Sequence, residues 1–199
     1  MQAILSPWSA TFEDFVRSID RRAIIVAPFI TERPLQDFSS LLNTVNSPQI
    51  DLLTNLNPDS LLNGSIDSGA IADFCRVVPT TIVRHLPGLH AKVYVADDHT
   101  AIVTSGNLTL GSLHHNYEYG ILIKDSVLIR KIARDLQEYS NLGALVSPDE
   151  LDHLSEASRS LSDKHTKALS SARASIRQAF SIQLEAVRDS VKQLRGVID

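Results

Sequence analysis

Hydrophobic and polar residues alternate with two different periods along the first 145 residues. Spacings of three and four residues are typical of amphipathic helices, whereas strict alternation or short continuous apolar runs are typical of strands. A stretch rich in Asn, Asp, Ser and Pro at residues 55–68 predicts a loop. The pattern predicts helices at 11–19, from Pro34, at 68–76 and at 125–139, and strands at 23–29, 50–54, 89–95, 100–105 and 116–123.

The C-terminal quarter of the chain has a different pattern. Residues 149–194 contain neither Pro nor Gly, and their apolar residues step by three or four. This predicts a long amphipathic helix or helical hairpin with a narrow, coiled-coil-like seam. The predicted fold class is an α/β domain with a mixed sheet flanked by helices over residues 1–145, followed by a helical extension over 146–199. The seam could pack on its own domain, join two copies of the chain or dock another protein.

Composition narrows the class of protein. The 199 residues are 43% hydrophobic, without an apolar run of transmembrane length or a signal-peptide pattern at residues 1–10, which predicts a cytoplasmic protein with no membrane partner. The single cysteine, Cys75, excludes an intrachain disulfide and a cysteine-rich metal site. A net charge of −4 does not suggest a strongly basic nucleic-acid binder, but a local basic patch is compatible with it.

Candidate chemistry concentrates in the last three predicted strands. Each carries two polar residues separated by one position, so both side chains of a pair share one face of the strand. Buried polar groups cost free energy unless they are satisfied or functional, so three such pairs suggest a site. The pairs are His90 with Lys92, Ser105 with Asn107, and Asn116 with Glu118.

The order and spacing of these residues carry a specific resemblance. His90-x-Lys92 is followed after four residues by Asp97, and then by Ser105-x-Asn107. This closely resembles the His-x-Lys-x4-Asp-x6-Gly-Ser-x-Asn signature of the phospholipase D superfamily. The superfamily breaks phosphodiester bonds through a covalent phosphohistidine, so the resemblance implies a phospholipase D-like fold and a phosphodiester hydrolase.

Further positions extend the resemblance, with one departure. Asn116-x-Glu118 resembles a downstream Asn-x-Glu of the same superfamily, and Ala27–Ile30 looks like the end of the first strand in many of its nucleases. Thr104, however, stands where the signature has glycine. The resemblance is strongest over residues 86–124 and looser over residues 23–139.

The resemblance also implies roles for individual residues. His90 would act as the nucleophile or the general acid, because an imidazole can attack phosphorus or protonate a leaving oxygen. Lys92 and Asn107 would donate hydrogen bonds to the phosphoryl oxygens, where negative charge develops. Ser105 and Glu118 would support the site, and Glu118 could orient an imidazole by accepting from one ring nitrogen.

Other features of the sequence set limits on this assignment. Asp97 falls in a predicted turn, which indicates a structural role. His165-x-Lys167 matches the motif in letters but lies in the helical tail, so the chain supplies one motif. A single copy resembles the nuclease branch of the superfamily, in which two chains contribute one motif each.

These observations lead to one main functional prediction and two alternatives. We expect a metal-independent DNA endonuclease, with DNA preferred to RNA, that acts as a homodimer with a composite site and needs no cofactor. The alternatives are a lipid or other phosphodiester hydrolase of the same superfamily, and a non-catalytic interaction module. The remaining histidines have no spacing typical of metal ligands. The His114–His115 pair lies in the predicted loop before the last strand and could contact phosphate.

Overall fold

A computed structural model describes residues 1–161 and, beyond them, residues 167, 170, 174, 175, 177 and 178. Met1–Arg159 form one compact unit, and Ser160–Asp199 belong to a second. Residues 148–161 are helical. Most of the predicted C-terminal helix and its seam lie outside the described residues, so the seam and the domain boundary after residue 145 stay predictions.

The first unit contains eight strands and six helices between residues 2 and 146. The strands are β1 (Gln2–Leu5), β2 (Arg22–Val26), β3 (Gln49–Thr54), β4 (Thr81–His85), β5 (Val93–Ala96), β6 (Thr100–Thr104), β7 (Tyr119–Ile123) and β8 (Ala144–Val146). The helices are α1 (Ser9–Arg17), α2 (Glu32–Leu41), α3 (Pro58–Leu62), α4 (Ser68–Val77), α5 (Leu110–His114) and α6 (Ser126–Leu142).

All eight strands join in one mixed sheet, which confirms the predicted α/β class. The strand order is β1-β7-β6-β5-β2-β3-β4-β8. Strands β2, β3 and β4 are parallel, whereas every other pairing is antiparallel. The chain therefore winds to one side of β2 through β3 and β4, and then crosses to its other side for β5. This reversal makes β2 the topological switch point of the sheet.

Alternating residues of the central strands fill two hydrophobic cores. Ile25 and Tyr94 point into the larger core with the apolar residues of α1, α2 and α4. Ile24 and Val95 point into the smaller core on the opposite face, against Ile129 and other residues of α6. Central strands buried on both faces explain why β2 is a continuous apolar run in the sequence.

The structure corrects two predictions of secondary structure and adds two strands. Residues 55–68 are not entirely loop, because Asn57 caps the short helix α3 by accepting from the backbone N–H of Ser60. Helix α5 occupies residues that were predicted as the loop before the last strand. The edge strands β1 and β8 were not predicted. They are only 4 and 3 residues long and are mostly exposed, so neither shows the alternation of apolar and polar residues that predicts a strand.

The last predicted strand is shorter and less buried than its pattern indicates. The alternation of the sequence predicts one apolar face made of Tyr117, Tyr119, Ile121 and Ile123. Strand β7 begins at Tyr119, and of these four residues only Ile123 is buried. Tyr117 and Tyr119 are exposed. Helix α6 contacts β2 and β6 and covers the smaller core, which includes Ile123. The end of the β7 face that carries Tyr117 and Tyr119 remains exposed. Tyr139 follows Leu136 by three residues, which predicts that it lies on the buried side of α6, but it is half exposed.

The turn between β5 and β6 is held by Asp97, whose side chain is 4% exposed. Its carboxylate accepts three hydrogen bonds from the backbone N–H groups of Asp20, Arg21 and Arg22, at 2.9, 3.1 and 3.0 Å. The Asp97 N–H donates to the Arg22 carbonyl at 2.9 Å, and its φ of 50° lies in the left-handed region. Asp97 therefore ties this hairpin to the beginning of β2.

Candidate active site

The candidate site lies at one edge of the sheet, beside the switch point. The carboxyl end of β2, the beginning of β5, the end of β6 and the beginning of β7 all meet there, because β5 runs antiparallel to β2 and β6 antiparallel to both its neighbours. Crevices outside the carboxyl ends of strands at a switch point are where open α/β sheets commonly bind ligands.

His90 and Lys92 lie in the extended segment that leads into β5. Their alternation is as predicted, although β5 itself begins only at Val93, so His90 precedes the strand. The His90 side chain is exposed, whereas Lys92 is 8% exposed. Lys92 Nζ donates to the His90 carbonyl at 2.8 Å and lies 3.5 and 3.4 Å from ring atoms Nδ1 and Nε2. An ammonium group therefore lies directly beside an accessible imidazole.

Burial affects the pKa of the Lys92 ammonium group. Desolvation lowers the pKa of Lys92, because the charged form loses hydration, and the negative charge of Glu118 partly opposes that shift. The same two influences raise the pKa of Tyr94. Glu118 thus lies close enough to act electrostatically on Lys92, and the two side chains belong to one site.

Glu118 is fixed by two of the predicted residues. Ser105 Oγ donates a short hydrogen bond to Glu118 Oε2, and Asn116 Nδ2 donates to Oε1 at 3.3 Å. Ser105 Oγ also accepts from the Tyr119 N–H at 3.1 Å. No hydrogen bond joins Glu118 to His90 in the part of the chain that the structure describes, and the expectation that Glu118 orients an imidazole stays a prediction.

Asn107 joins the site through the end of β2. Its Oδ1 accepts from the backbone N–H of Phe29 at 3.3 Å, and its own N–H donates to Ser112 Oγ at 3.2 Å. A parallel bridge between Ile30 and Leu108 reinforces this connection. The sequence pattern predicted Asn107 but not its contact with Phe29. The donor is a backbone N–H, which almost every residue type has, so the residue type does not reveal it.

The departure at Thr104 is accommodated by the strand opposite. Thr104 pairs with Gly120 in the register of β6 and β7, and a Cβ on Gly120 would lie 2.8 Å from Thr104 Cβ. Thr104 Oγ1 also accepts from the Gly106 N–H at 3.1 Å. The close approach that the signature gives to glycine at position 104 is therefore provided by Gly120, which sequence reasoning did not single out.

The floor of the site is aromatic. A Cβ on Gly106 would lie 2.8–2.9 Å from ring atoms of Trp8, and Tyr94 donates its hydroxyl to the Gly106 carbonyl at 2.9 Å. Trp8 itself is 1% exposed and donates from Nε1 to the Ser112 carbonyl at 2.8 Å. The backbone between Ser105 and Asn107 therefore lies directly against the Trp8 ring. Position 106 requires glycine, because a side chain there would overlap the ring.

Comparison with known proteins identifies the family. Residues 17–140 match the sequence profile described as "cardiolipin synthase, PLD-like domain", where PLD stands for phospholipase D. The match spans more than half of the chain. The chain belongs to the phospholipase D-like family. Members of this family are phosphodiester hydrolases, with nucleases among them.

Solved structures share this phospholipase D-like fold, and at their low identities the likeness concerns the fold alone. NucT from Helicobacter pylori has a TM-score of 0.59 and 17% identity, covering 73% of this chain and 98% of its own. Nuc, a phospholipase D family member from Salmonella typhimurium, has a TM-score of 0.58 and 16% identity, covering 73% and 97%. TrmBL2, an archaeal chromatin protein described with a novel mode of DNA binding, has a TM-score of 0.52 and 14% identity, covering 73% and 54%. No curated protein sequence matches the chain.

Three further observations concern the remaining histidines, metal binding and membrane spans. His114 and His115 are exposed at the end of α5, with ring centroids 6.0 Å apart, and no group of three or more His, Cys, Asp or Glu in the described residues could hold a metal ion. Within the same residues, no helix has both the length and the apolar character to span a bilayer.

Proposed function

We propose that the protein is a metal-independent DNA endonuclease that acts through a phosphohistidine. The observation that carries the proposal is the exposed His90 imidazole with the buried Lys92 ammonium 3.4–3.5 Å from its ring nitrogens. Glu118 and Asn107 lie at the same sheet edge. This arrangement offers a nucleophile, and a cation for the charge that develops on phosphorus, without a metal ion.

The first step would transfer the phosphoryl group to the protein. A ring nitrogen of neutral His90 attacks phosphorus, a P–N bond forms, and the P–O bond to the leaving nucleoside oxygen breaks. The leaving oxygen needs a proton, which a second, protonated histidine can donate. Water then attacks phosphorus and gives its proton to that second histidine, the P–N bond breaks, and neutral His90 is regenerated.

The second histidine is the reason for proposing a composite site. His85 lies on β4, which is three strands from β5, or roughly 14 Å across the sheet, and its Nδ1 already accepts from the Leu56 N–H. His99 lies at the far end of β5. A two-fold dimer that brings both His90 side chains to its axis would supply nucleophile and acid from equivalent residues.

The choice of DNA rests on the comparisons. NucT and Nuc are matched over nearly their whole chains, and TrmBL2 is a DNA-binding protein with the same fold. A lipid or other phosphodiester substrate is the second candidate, because the matching family profile is named for cardiolipin synthase. A non-catalytic interaction module is the third, and retention of His90, Lys92, Ser105 and Asn107 speaks against it.

A substrate panel tests the proposal. Plasmid DNA, single-stranded DNA, RNA, phosphatidyl lipid vesicles and bis(p-nitrophenyl) phosphate would each be incubated with the protein in EDTA. We expect cleavage of DNA that His90→Ala abolishes and that His153→Ala, at an exposed histidine on the helix of residues 148–161, leaves unchanged. Cleavage of lipid alone would favour the second candidate, and an inert wild-type protein would favour the third.

A mixed dimer tests the composite site. One wild-type chain and one His90→Ala chain, carrying different tags, would be purified together. A shared site predicts almost no turnover, because either the attack or the proton donation lacks its histidine. Recovery of half the wild-type rate, or a fully active monomer in sedimentation, would reject the shared site and assign the acid to a histidine of the same chain, such as His115.

A further inference from the structure

An apolar part of the sheet is left uncovered where β1, β7 and β6 pair. The strand register sets Tyr119 opposite Leu5 and Ile121 opposite Val103, and residues paired in this way project from the same face of a sheet. These four side chains are between 39% and 65% exposed, and they form what we call the open face. Ile123, two residues further along β7, is buried in the smaller core. The open face is therefore the uncovered continuation of an apolar layer.

The open face adjoins the candidate site. On its other side Val103 pairs with Val93 of β5, which follows His90 by three residues, or roughly 10 Å of extended chain. Tyr119 directly follows Glu118, whose charge acts on Lys92. A partner that covers the open face therefore also comes next to the exposed imidazole.

The area of this surface is on the scale of a protein interface. Tyr117, two residues before Tyr119, is 103% exposed, and Tyr119 is 61% exposed. A buried aromatic side chain contributes about 150–250 Å², so these two tyrosines alone offer roughly 300 Å². A specific interface needs about 500 Å² from each partner. The three aliphatic residues of the open face add to the tyrosines, so a single continuous surface can supply most of what a stable dimer requires.

The charges around the open face indicate the kind of partner. Residues 2–5, 102–105 and 117–122 contain no lysine or arginine, and the one charged residue among them is Glu118. Nucleic acids and anionic lipid surfaces are bound through basic groups that contact their phosphates, so neither fits this surface. A second copy of the chain presents the same uncharged apolar residues. It meets no like-charge repulsion there, although each chain carries a net charge of −4.

We propose that the open face is the surface through which a second copy of the chain binds and brings its own His90 to the shared site. The inference rests on the proposed function, whose chemistry calls for a second histidine. In a two-fold dimer each chain uses the same surface. Burial of the open face stabilises the pair, and its continuity with the sheet edge keeps the two imidazoles near the axis.

Sedimentation velocity over a dilution series tests the surface without any assay of activity. Ile121→Lys places a charge in the interface twice, once from each chain, and should raise the dimer dissociation constant at least about 100-fold. Leu5→Lys gives the same test on the edge strand if Ile121→Lys does not fold, which far-UV circular dichroism would show.

Leu145→Lys is the matched control. Leu145 is an apolar residue that is 67% exposed, but it lies on β8, at the opposite edge of the sheet from β1. The same change of charge at this position should leave the dissociation constant unchanged. Equal weakening by Ile121→Lys and Leu145→Lys would overturn the assignment to the open face.

Cleavage of DNA should follow the population of dimers. Ile121→Lys should be inactive at concentrations where it is monomeric, and should recover the wild-type kcat per dimer once its concentration exceeds the raised dissociation constant. A variant that stays inactive as a fully formed dimer would show that Ile121 acts on the chemistry and not on assembly, and would overturn the proposal.

The remaining outcomes separate this surface from the proposed function. A wild-type protein that is monomeric at every concentration, or an Ile121→Lys protein that dimerises like the wild type, would reject the open face, and in the latter case His90-dependent cleavage would leave the nuclease function standing. A dimer that Ile121→Lys disrupts, in a protein that cleaves no substrate, would keep the surface and reject the nuclease function. Binding of a wild-type monomer to phosphatidylcholine vesicles, abolished by Ile121→Lys, would overturn the proposal and assign the open face to a lipid surface.

Discussion

Replacement of Asp97 should destabilise the protein without changing its chemistry. Asp97 is part of the phospholipase D-like motif that begins with His90-x-Lys92. It nevertheless lies at the opposite end of β5 from Lys92, because five residues separate them, or roughly 17 Å along the strand. Its carboxylate accepts hydrogen bonds from three backbone N–H groups. Its contribution should therefore appear in the free energy of unfolding and not in the rate per folded molecule.

The structure gives the size of the effect. Hydrogen bonds to a charged acceptor contribute about 1.5–3 kcal/mol when buried, and the bond from Arg22 is the most buried of the three, whereas the N–H groups of Asp20 and Arg21 can be recovered by water. A left-handed alanine costs about 1 kcal/mol more. We expect Asp97→Ala to lose roughly 3–5 kcal/mol in total. Asp97→Asn keeps Oδ1 and tolerates the positive φ, so it should lose about 1–2 kcal/mol.

Urea denaturation and thermal melting measure these losses. For a chain of this size, Asp97→Asn should lower the melting temperature by about 2–8 °C. Asp98→Asn is the matched control. Its side chain is 53% exposed in the same turn and makes one long contact of 3.4 Å with Arg130, so it should change stability by no more than about 0.5 kcal/mol. An Asp97→Asn protein with wild-type stability and a reduced kcat would refute the structural role.

Three further perturbations follow from the site. Gly106→Ala should cost about 1–3 kcal/mol in urea denaturation, because the new Cβ overlaps the Trp8 ring, while Gly111→Ala, whose Cβ would have 3.6 Å of space, should be tolerated. Lys92→Met should abolish cleavage yet raise the free energy of unfolding at neutral pH. Folding lowers the pKa of Lys92, so the free energy of unfolding of the wild type rises as pH approaches the ordinary pKa of lysine. The stability advantage of methionine should therefore shrink over that pH range. An advantage that is absent or independent of pH would contradict this. DNA cleavage should survive EDTA, and an activity lost in EDTA and restored by Mg²⁺ would exclude the proposed mechanism.

Residue spacing predicted the parts of the fold that depend on local pattern. The continuous apolar run of β2 correctly predicted a buried strand, and the alternation from Leu89 to Val95 predicted the correct faces, because both strands are buried against two apolar layers. The short edge strands escaped prediction, since their hydrogen bonds go to distant strands and their side chains face water. Tyr119 was misplaced for a related reason: apolar alternation does not reveal where a covering helix stops.

In the candidate site, residue types and their spacing predicted the polar pairs but not the contacts that depend on strand pairing. The pairs around His90 and Ser105 were visible as spaced polar residues. The compensation of Thr104 by Gly120 depends on strand register, which a single sequence does not specify, although an isolated glycine within a strand is a usable signal of close approach.

The contact between Trp8 and Gly106 gives the protein an intrinsic optical reporter. Trp8 is the single tryptophan of the chain, and its indole lies directly beneath the backbone that links Ser105 to Asn107. A shift of that segment on ligand binding would alter the polarity around the indole and hence its emission, without any attached dye. The same fluorophore is embedded in the larger core, so one emission spectrum would record ligand saturation at low denaturant and loss of the fold at high denaturant.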